Sequence, residues 1–167
     1  PKVVAVGEIG LDYHYTKENK EKQKKLFEAQ LKLAEKYHKP VIIHSREATA
    51  DTIEVLKKYN VKGVIHSFSG SYETAMIYIK MGYLLGVNGV VTFKNAVKLV
   101  EVVKSIDINN ISLETDSPYL SPVPLRGTKN SSKNILIIAD YLSNLFNIRI
   151  EEISKITLDN TYDLFDL

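Results

Sequence analysis

The sequence contains no cysteine, which excludes disulfides, thiolate zinc sites and a cysteine nucleophile. No run approaches the ~18 consecutive apolar residues that a membrane span needs. Lys and Arg number 22 against 20 Asp and Glu, so the net charge of +2 excludes a histone-like polycation and any nucleic-acid binding must be local. The N-terminus lacks the basic flank and cleavage site of a secretory signal. These absences favour a cytoplasmic protein.

The chain does contain a regular alternation of apolar runs and amphipathic segments. Five short β-branched runs without polar alternation predict strands of a parallel sheet that is buried on both faces. They are Val3–Gly7, Val41–Ile43, Gly63–Ile65, Tyr83–Val87 and Ile111–Leu113. Apolar residues at helical spacing predict helices over Lys17–His38, Asp51–Tyr59, Tyr72–Met81, Asn95–Ser105, Lys133–Asn147 and Glu151–Asn160. Ser71 and Thr92 are predicted helix N-caps.

This order predicts an α/β fold, part of a TIM-type (β/α)8 barrel. Such a barrel takes about 250 residues, or roughly 31 per βα unit, so 167 residues supply about 5.4 units. The chain is therefore interpreted as one domain, residues 1–167, that covers the last five units and the C-terminal helices. A five-stranded sheet would expose two long edges, through which the chain could associate with itself or with a missing fragment.

Four of the five predicted strands end beside a side chain that can bind a metal or a proton. Glu8, His44 and His66 follow the first three strands, and Asp116 lies just beyond the fifth. One histidine after an apolar run is usually a core residue, but four ionisable strand ends in a small chain are rarely unpartnered. Strands lie about 4.8 Å apart, so Glu8, His44 and His66 can converge on one zinc or manganese ion. Asp116 is either a further ligand or the base that deprotonates a bound water.

The loop after Asp116 has a strong bias of charge. From Ser117 to Ala139 it has no acidic residue but carries Arg126, Lys129 and Asn130, which predict contacts to substrate phosphates. The alternative is a basic loop that is held only by its own turns. Outside this loop, the lysine-rich first helix is interpreted as a solvated face.

The remaining histidines are weaker candidates. His14 is predicted to lie on the surface, and His38 to complement free carbonyls at a helix C-terminus.

Four segments of the chain resemble, in order, motifs of the TatD family of metal-dependent deoxyribonucleases, whose fold is an amidohydrolase-type barrel. They are Gly7-Glu8-Ile9-Gly10-Leu11-Asp12-Tyr13, Val41-Ile42-Ile43-His44-Ser45-Arg46, His66-Ser67-Phe68-Ser69-Gly70 and Glu114-Thr115-Asp116-Ser117-Pro118-Tyr119-Leu120. The resemblance continues through Pro122-Val123-Pro124, Arg126-Gly127 and Asn130.

The resemblance implies specific roles and an activity. Glu8 would bridge two divalent ions (Zn, Mn or Mg), and His44 and His66 would complete the site of the second. Asp116 would contact the first ion and act as general base. The implied reaction is hydrolysis of DNA, typically as a 3′-to-5′ exonuclease, by two-metal water activation.

The chain departs from the family pattern in two places. The family opens with a His-x-His motif on its first strand, which this sequence lacks, so the chain is expected to start near the fourth strand with the first three βα units missing. In addition, Ser131-Ser132 stands where many members carry Glu-Pro.

Two other interpretations of function remain open. The chain could hydrolyse another ester or amide with the same metal chemistry, although the acid-free loop argues against a neutral substrate. It could also be an inactive fragment that binds a metal or nucleic acid without turnover. DNA is the predicted partner, no membrane association is expected, and the sequence leaves the oligomeric state open.

Overall fold

The computed structural model describes residues 2–16 and 18–167, and these form a five-stranded sheet. The strands stand side by side in chain order, and every neighbouring pair is parallel. They are β1 (Val6–Asp12), β2 (Val41–Arg46), β3 (Gly63–Ile65), β4 (Tyr83–Val87) and β5 (Ile111–Leu113). This is the arrangement of five consecutive βα units, so the predicted fold class is confirmed.

A helix follows each of the first four strands, and two more follow β5. They are α1 (Lys20–Lys36), α2 (Thr49–Leu56), α3 (Tyr72–Lys80), α4 (Val97–Ser105), α5 (Ile135–Phe146) and α6 (Ile150–Phe165). Short 3₁₀ turns cover Gly89–Thr92, Ile108–Asn110 and Ser132–Asn134. None of the helices in the described part of the chain combines the length and the apolarity that crossing a membrane requires.

The core is built on apolar side chains at matching positions of neighbouring strands. Ile43 pairs with Ile65, Ile65 with Leu85, and Leu85 with Ile111, and all four are at most 2% exposed. Each such side chain stabilises the fold by about 1.5–3 kcal/mol through burial. Val64, the neighbour of Ile65 on the opposite face of β3, is buried as well at 5% exposed, so this strand is a continuous apolar run without alternation.

The first two strands differ from the sequence prediction. β1 begins at Val6 instead of Val3 and continues to Asp12, and β2 continues to Arg46, so Glu8 and His44 lie within strands and not after them. The ladder extends because the main chains stay close: a Cβ on Gly10 would lie 1.9 Å from the carbonyl oxygen of His44, and Gly10 has a φ of +146°. Only glycine fits this approach.

Helix ends agree with the prediction in one case and disagree in another. Ser71 caps α3, since its side chain accepts a hydrogen bond from the Thr74 N–H. The predicted N-cap at Thr92 is wrong: Thr92 ends a 3₁₀ turn, and its hydroxyl donates to the Gly89 carbonyl. Lys17, the predicted start of the first helix, lies outside the described residues.

Candidate metal and active site

A cavity of about 680 Å³ opens at the carboxyl ends of the strands. The four predicted metal-binding residues all line it: Glu8, His44, His66 and Asp116. The two histidines each stand one residue beyond the register pair Ile43 and Ile65, so the Ile-His-Ser sequence that both segments share places them side by side, His44 within β2 and His66 directly after β3. Contact between residues distant in the chain thus follows from strand register.

Both nitrogens of His44 face a carboxylate. Nδ1 lies 2.8 Å from Glu8 Oε1, and Nε2 lies 2.9 Å from Asp12 Oδ2. Burial alone raises the pKa of Asp12, but hydrogen bonds from the His14 N–H and from His44, together with nearby positive charge, outweigh burial and lower it below its ordinary value. Asp12 is therefore an ionised partner for the imidazole.

Asp12 is itself held by a side chain of α1. The Gln23 carboxamide accepts from the Asp12 N–H at 2.8 Å and donates to the Asp12 carbonyl at 2.7 Å. Gln23 satisfies the main chain at the end of β1 on both sides, and so positions the carboxylate that contacts His44.

His66 has the same two-sided environment. Nδ1 lies 2.9 Å from Glu114 Oε2, and Nε2 lies 3.3 Å from Asp116 Oδ1. The pKa of His66 rises to about 9, chiefly because of the hydrogen bond with Glu114; burial opposes the rise, and the charges of Glu114, Glu8 and Asp116 add to it. The Ser67 N–H donates to the other oxygen of Glu114 at 2.7 Å, which fixes the carboxylate.

Glu114 reaches His66 by passing directly over β4. A Cβ on Gly86 would lie 2.5 Å from Glu114 Oε2, so the absence of a side chain at Gly86 makes room for this carboxylate. The other carboxylate oxygen, Oε1, accepts a hydrogen bond from the Asn88 side-chain amide at 3.3 Å. The same amide donates to the Ser67 hydroxyl at 2.8 Å.

The chemistry of these donors fits a divalent cation. Within residues 2–16 and 18–167 no three His, Asp or Glu side chains form a cluster that could already hold a metal. The four predicted ligands instead form one hydrogen-bonded pair, His44 with Glu8, and one ion pair, His66 with Asp116. Two imidazole nitrogens and two carboxylates facing one cavity are a donor set typical of zinc or manganese sites. Each imidazole is also supported on its outer nitrogen by a carboxylate, which is the usual arrangement around metal-binding histidines.

Asp12 and Glu114 were not assigned roles from the sequence. Both lie inside the motifs quoted above, and the signal that could have identified them is the general need of a ligating imidazole for a second partner.

Three residues near the strand ends adopt left-handed backbone conformations. Glu47, Ser67 and Asp116 have φ values of 54°, 48° and 54°. Non-glycine residues rarely adopt this region and do so at a cost of order 1–3 kcal/mol each. Ser67 and Asp116 line the cavity, a location typical of backbone strain at a functional site.

The loop after Asp116 places its three predicted phosphate ligands differently. Arg126 and Lys129 are exposed and are not among the residues that line the cavity, and the Arg126 guanidinium lies 4.3 Å from the centre of the Phe93 ring. Asn130 is 5% exposed and makes four hydrogen bonds within the loop, with the Thr115 and Tyr119 carbonyls, the Ser131 N–H and Asn134. Asn130 thus has no free donor for a phosphate in this conformation, and its contacts assign it to holding the loop together.

The two other histidines lie outside this cavity. His14 is exposed, as predicted, and its Nδ1 lies 2.6 Å from Glu47 Oε1. His38 follows α1 with a φ of 51°, and its predicted interaction with helix carbonyls stays a prediction.

Comparison with known proteins gives a consistent result. The family described as TatD related DNase matches residues 1–166. YabD, an uncharacterized metal-dependent hydrolase of Bacillus subtilis, is 44% identical over 98% of this chain and 66% of its own length. YcfH of Escherichia coli, named in the same way, is 39% identical over 99% of this chain and 63% of its own length. The crystal structure of YjjV, a TatD homolog of Escherichia coli, superposes with a TM-score of 0.90 at 35% identity and covers 99% of this chain and 64% of YjjV. The chain thus spans about two thirds of the length of these relatives.

Proposed function

Because the chain belongs to the TatD-related DNase family, we propose that it carries the metal-binding part of a metal-dependent hydrolase that cleaves phosphodiester bonds in DNA, as a 3′-to-5′ exonuclease. The names of YabD and YcfH support metal-dependent hydrolysis. The observation that carries the proposal is that His44 and His66 each lie between two carboxylates. One carboxylate lines the shared cavity, and the other contacts the opposite ring nitrogen and orients the imidazole.

Glu8, His44, His66 and Asp116 are the residues that would hold divalent cations. When bound, such cations supply a Lewis acid for the phosphoryl group and an activated water. Asp12 and Glu114 keep the two imidazoles oriented. Each would accept a hydrogen bond from the ring N–H that faces it, which leaves the lone pair of the other ring nitrogen free for a cation.

Asp116 is the proposed general base. Its carboxylate lies at the cavity and 3.3 Å from His66 Nε2, so it can accept a proton from the attacking water and is held in place by the same imidazole. Arg126 and Lys129 are proposed to contact the DNA backbone farther from the scissile bond, because they are exposed cations outside the cavity. Contacts to phosphates predict little preference for base sequence.

The activity is tested by incubating the protein with single-stranded DNA, RNA and simple esters, each with Zn²⁺, Mn²⁺ or Mg²⁺ and with EDTA. The expected result for this chain by itself is weak, metal-dependent shortening of DNA from its 3′ end. Preferential hydrolysis of the esters would assign a different substrate to the same metal chemistry. Binding of metal or DNA with no turnover on any substrate would identify a binding fragment and refute the proposal for this chain.

A further inference from the structure

One wall of the cavity is formed by residues to which no role has been assigned above. Arg46 and Tyr15 both line the cavity, and the Arg46 guanidinium lies 5.3 Å from the centre of the Tyr15 ring. Arg46 stands two residues after His44 on β2, so the two side chains leave the same side of the strand at Cα positions about 6.6 Å apart. This wall therefore adjoins the candidate metal ligands.

Arg46 has the properties of a side chain that binds an anion. Among the described residues that line the cavity it is the single Lys or Arg, while Glu8 and Asp116 contribute negative charge. Its guanidinium makes no hydrogen bond or ion pair within residues 2–16 and 18–167; it lies over the face of the Tyr15 ring, and its charge acts at longer range on the Asp12 carboxylate. A planar donor with free N–H groups matches a phosphate, and stacking on a ring restricts its orientation.

Tyr15 has the properties of a platform for a nucleobase. It is 82% exposed, so burial does not account for its position. That position is supported by an edge-on contact with the His14 ring, at 4.9 Å between centroids, and His14 is tied to Glu47 on the loop after β2. An exposed aromatic ring at the rim of a ligand cavity can stack on any base.

We propose that Arg46 and Tyr15 form a nucleotide subsite next to the scissile bond, in which Arg46 binds the adjacent phosphate and Tyr15 stacks on the base of that nucleotide. This inference rests on the proposed function, because it assumes a nucleic-acid substrate. The cavity volume of about 680 Å³ is in the range of sites that hold ligands of this size.

The subsite is tested first by equilibrium binding of a short fluorescein-labelled oligothymidylate in EDTA, which prevents cleavage. Arg46→Ala should weaken binding roughly 10- to 100-fold, as expected for loss of a charge-assisted contact. It should also make the slope of log K against log salt less steep by about 0.7. Tyr15→Leu should weaken binding roughly tenfold, whereas Tyr15→Phe keeps the ring and should bind as the wild type does.

The chain offers a matched control at the C-terminal end of α1. Lys36 is exposed and lies 5.3 Å from the centre of the Tyr37 ring, which is 58% exposed, and neither residue lines the cavity. Lys36→Ala removes one positive charge, as Arg46→Ala does, and Tyr37→Leu removes one exposed ring. Both controls should leave binding within twofold of the wild type.

Modified DNA locates the contacts on the substrate. An uncharged methylphosphonate, moved linkage by linkage, should abolish the difference between wild type and Arg46→Ala at one position near the 3′ end. An abasic nucleotide should do the same for Tyr15→Leu. Equal effects of Arg46→Ala and Lys36→Ala, or a penalty that persists with the methylphosphonate at every linkage, would overturn the subsite.

This experiment separates the two proposals. DNA that is bound through Arg46 and Tyr15 but is not cleaved with any metal would refute the nuclease activity and leave the subsite standing. DNA that is cleaved equally well by Arg46→Ala and Lys36→Ala would refute the subsite and leave the nuclease activity standing.

Discussion

Gly86→Ala should displace Glu114 and so disturb His66 without changing either residue. The new Cβ would lie 2.5 Å from Glu114 Oε2, about 0.9 Å inside the 3.4 Å of ordinary contact, and 3.0 Å from the Ile65 carbonyl. Since the carbonyl belongs to the sheet, Glu114 is the group that must move. A shift of this size lengthens its 2.7 Å and 2.9 Å hydrogen bonds to Ser67 and His66 beyond hydrogen-bonding distance.

The expected cost follows from these contacts. Hydrogen bonds to charged groups contribute about 1.5–3 kcal/mol each. Glu114 is 18% exposed and regains some hydration, and alanine gains about 0.4–1 kcal/mol through the unfolded chain. Gly86→Ala should therefore lower the free energy of unfolding by about 2–3 kcal/mol, measured by urea denaturation.

A double-mutant cycle isolates the clash. With Glu114→Ala in place, the two shortest contacts of the added methyl group are gone and the 3.0 Å approach to the Ile65 carbonyl remains, so Gly86→Ala should cost less than about 1 kcal/mol. The coupling energy between the two substitutions should exceed about 1.5 kcal/mol. Additive effects, or a Gly86→Ala variant as stable as the wild type, would show that Glu114 does not depend on the space above Gly86.

Three further predictions concern the base, the metal and the loop. In a protein that has the complete family site, Asp116→Asn should abolish DNA cleavage while metal analysis still finds the cation held by Glu8, and retained turnover would refute its role as base. A divalent cation at 100 times its Kd should stabilise the protein by about 2.7 kcal/mol, and with roughly 2–4 °C per kcal/mol this raises Tm by about 5–11 °C. EDTA should reverse the shift, and a His66→Gln variant that still shows it in full would count against this site. Asn130→Ala should cost about 2–4 kcal/mol in unfolding free energy because four hydrogen bonds are lost, whereas Asn144→Ala, which loses one exposed bond, should cost under about 1 kcal/mol; equal costs would contradict a structural role for Asn130.

The resemblance to the TatD family, drawn from short motifs, is confirmed by the match over residues 1–166. The sequence was sufficient here because each motif lies in or directly after a strand, and parallel strands deliver their carboxyl ends to one edge of a sheet. The prediction that His44 and His66 converge rested on the spacing of neighbouring strands, and the pairing of Ile43 with Ile65 brings both histidines to the same edge of the sheet.

The boundaries of a strand were predictable where the burial of apolar side chains decides them. The boundaries of β3, β4 and β5 match their apolar runs, since these runs fill the core between sheet and helices. The lengths of β1 and β2 were not predictable, because their polar ends continue a backbone ladder whose partner is the neighbouring strand.

Only the tertiary structure decided which carboxylates support the two histidines, because these contacts join residues far apart in the sequence. Asp12 contacts His44 across 32 positions of sequence, and Glu114 contacts His66 across 48, so neither support could be derived from local spacing. Asn130 has a side-chain amide that could donate to a phosphate, but this amide is buried and bonded within its own loop. The sequence by itself determined which side chains reach the edge of the sheet, since strand order and hydrophobic burial are encoded locally. The fold decided which of these side chains meet, because a hydrogen bond between segments far apart in the chain is lost when its length changes by less than an ångström.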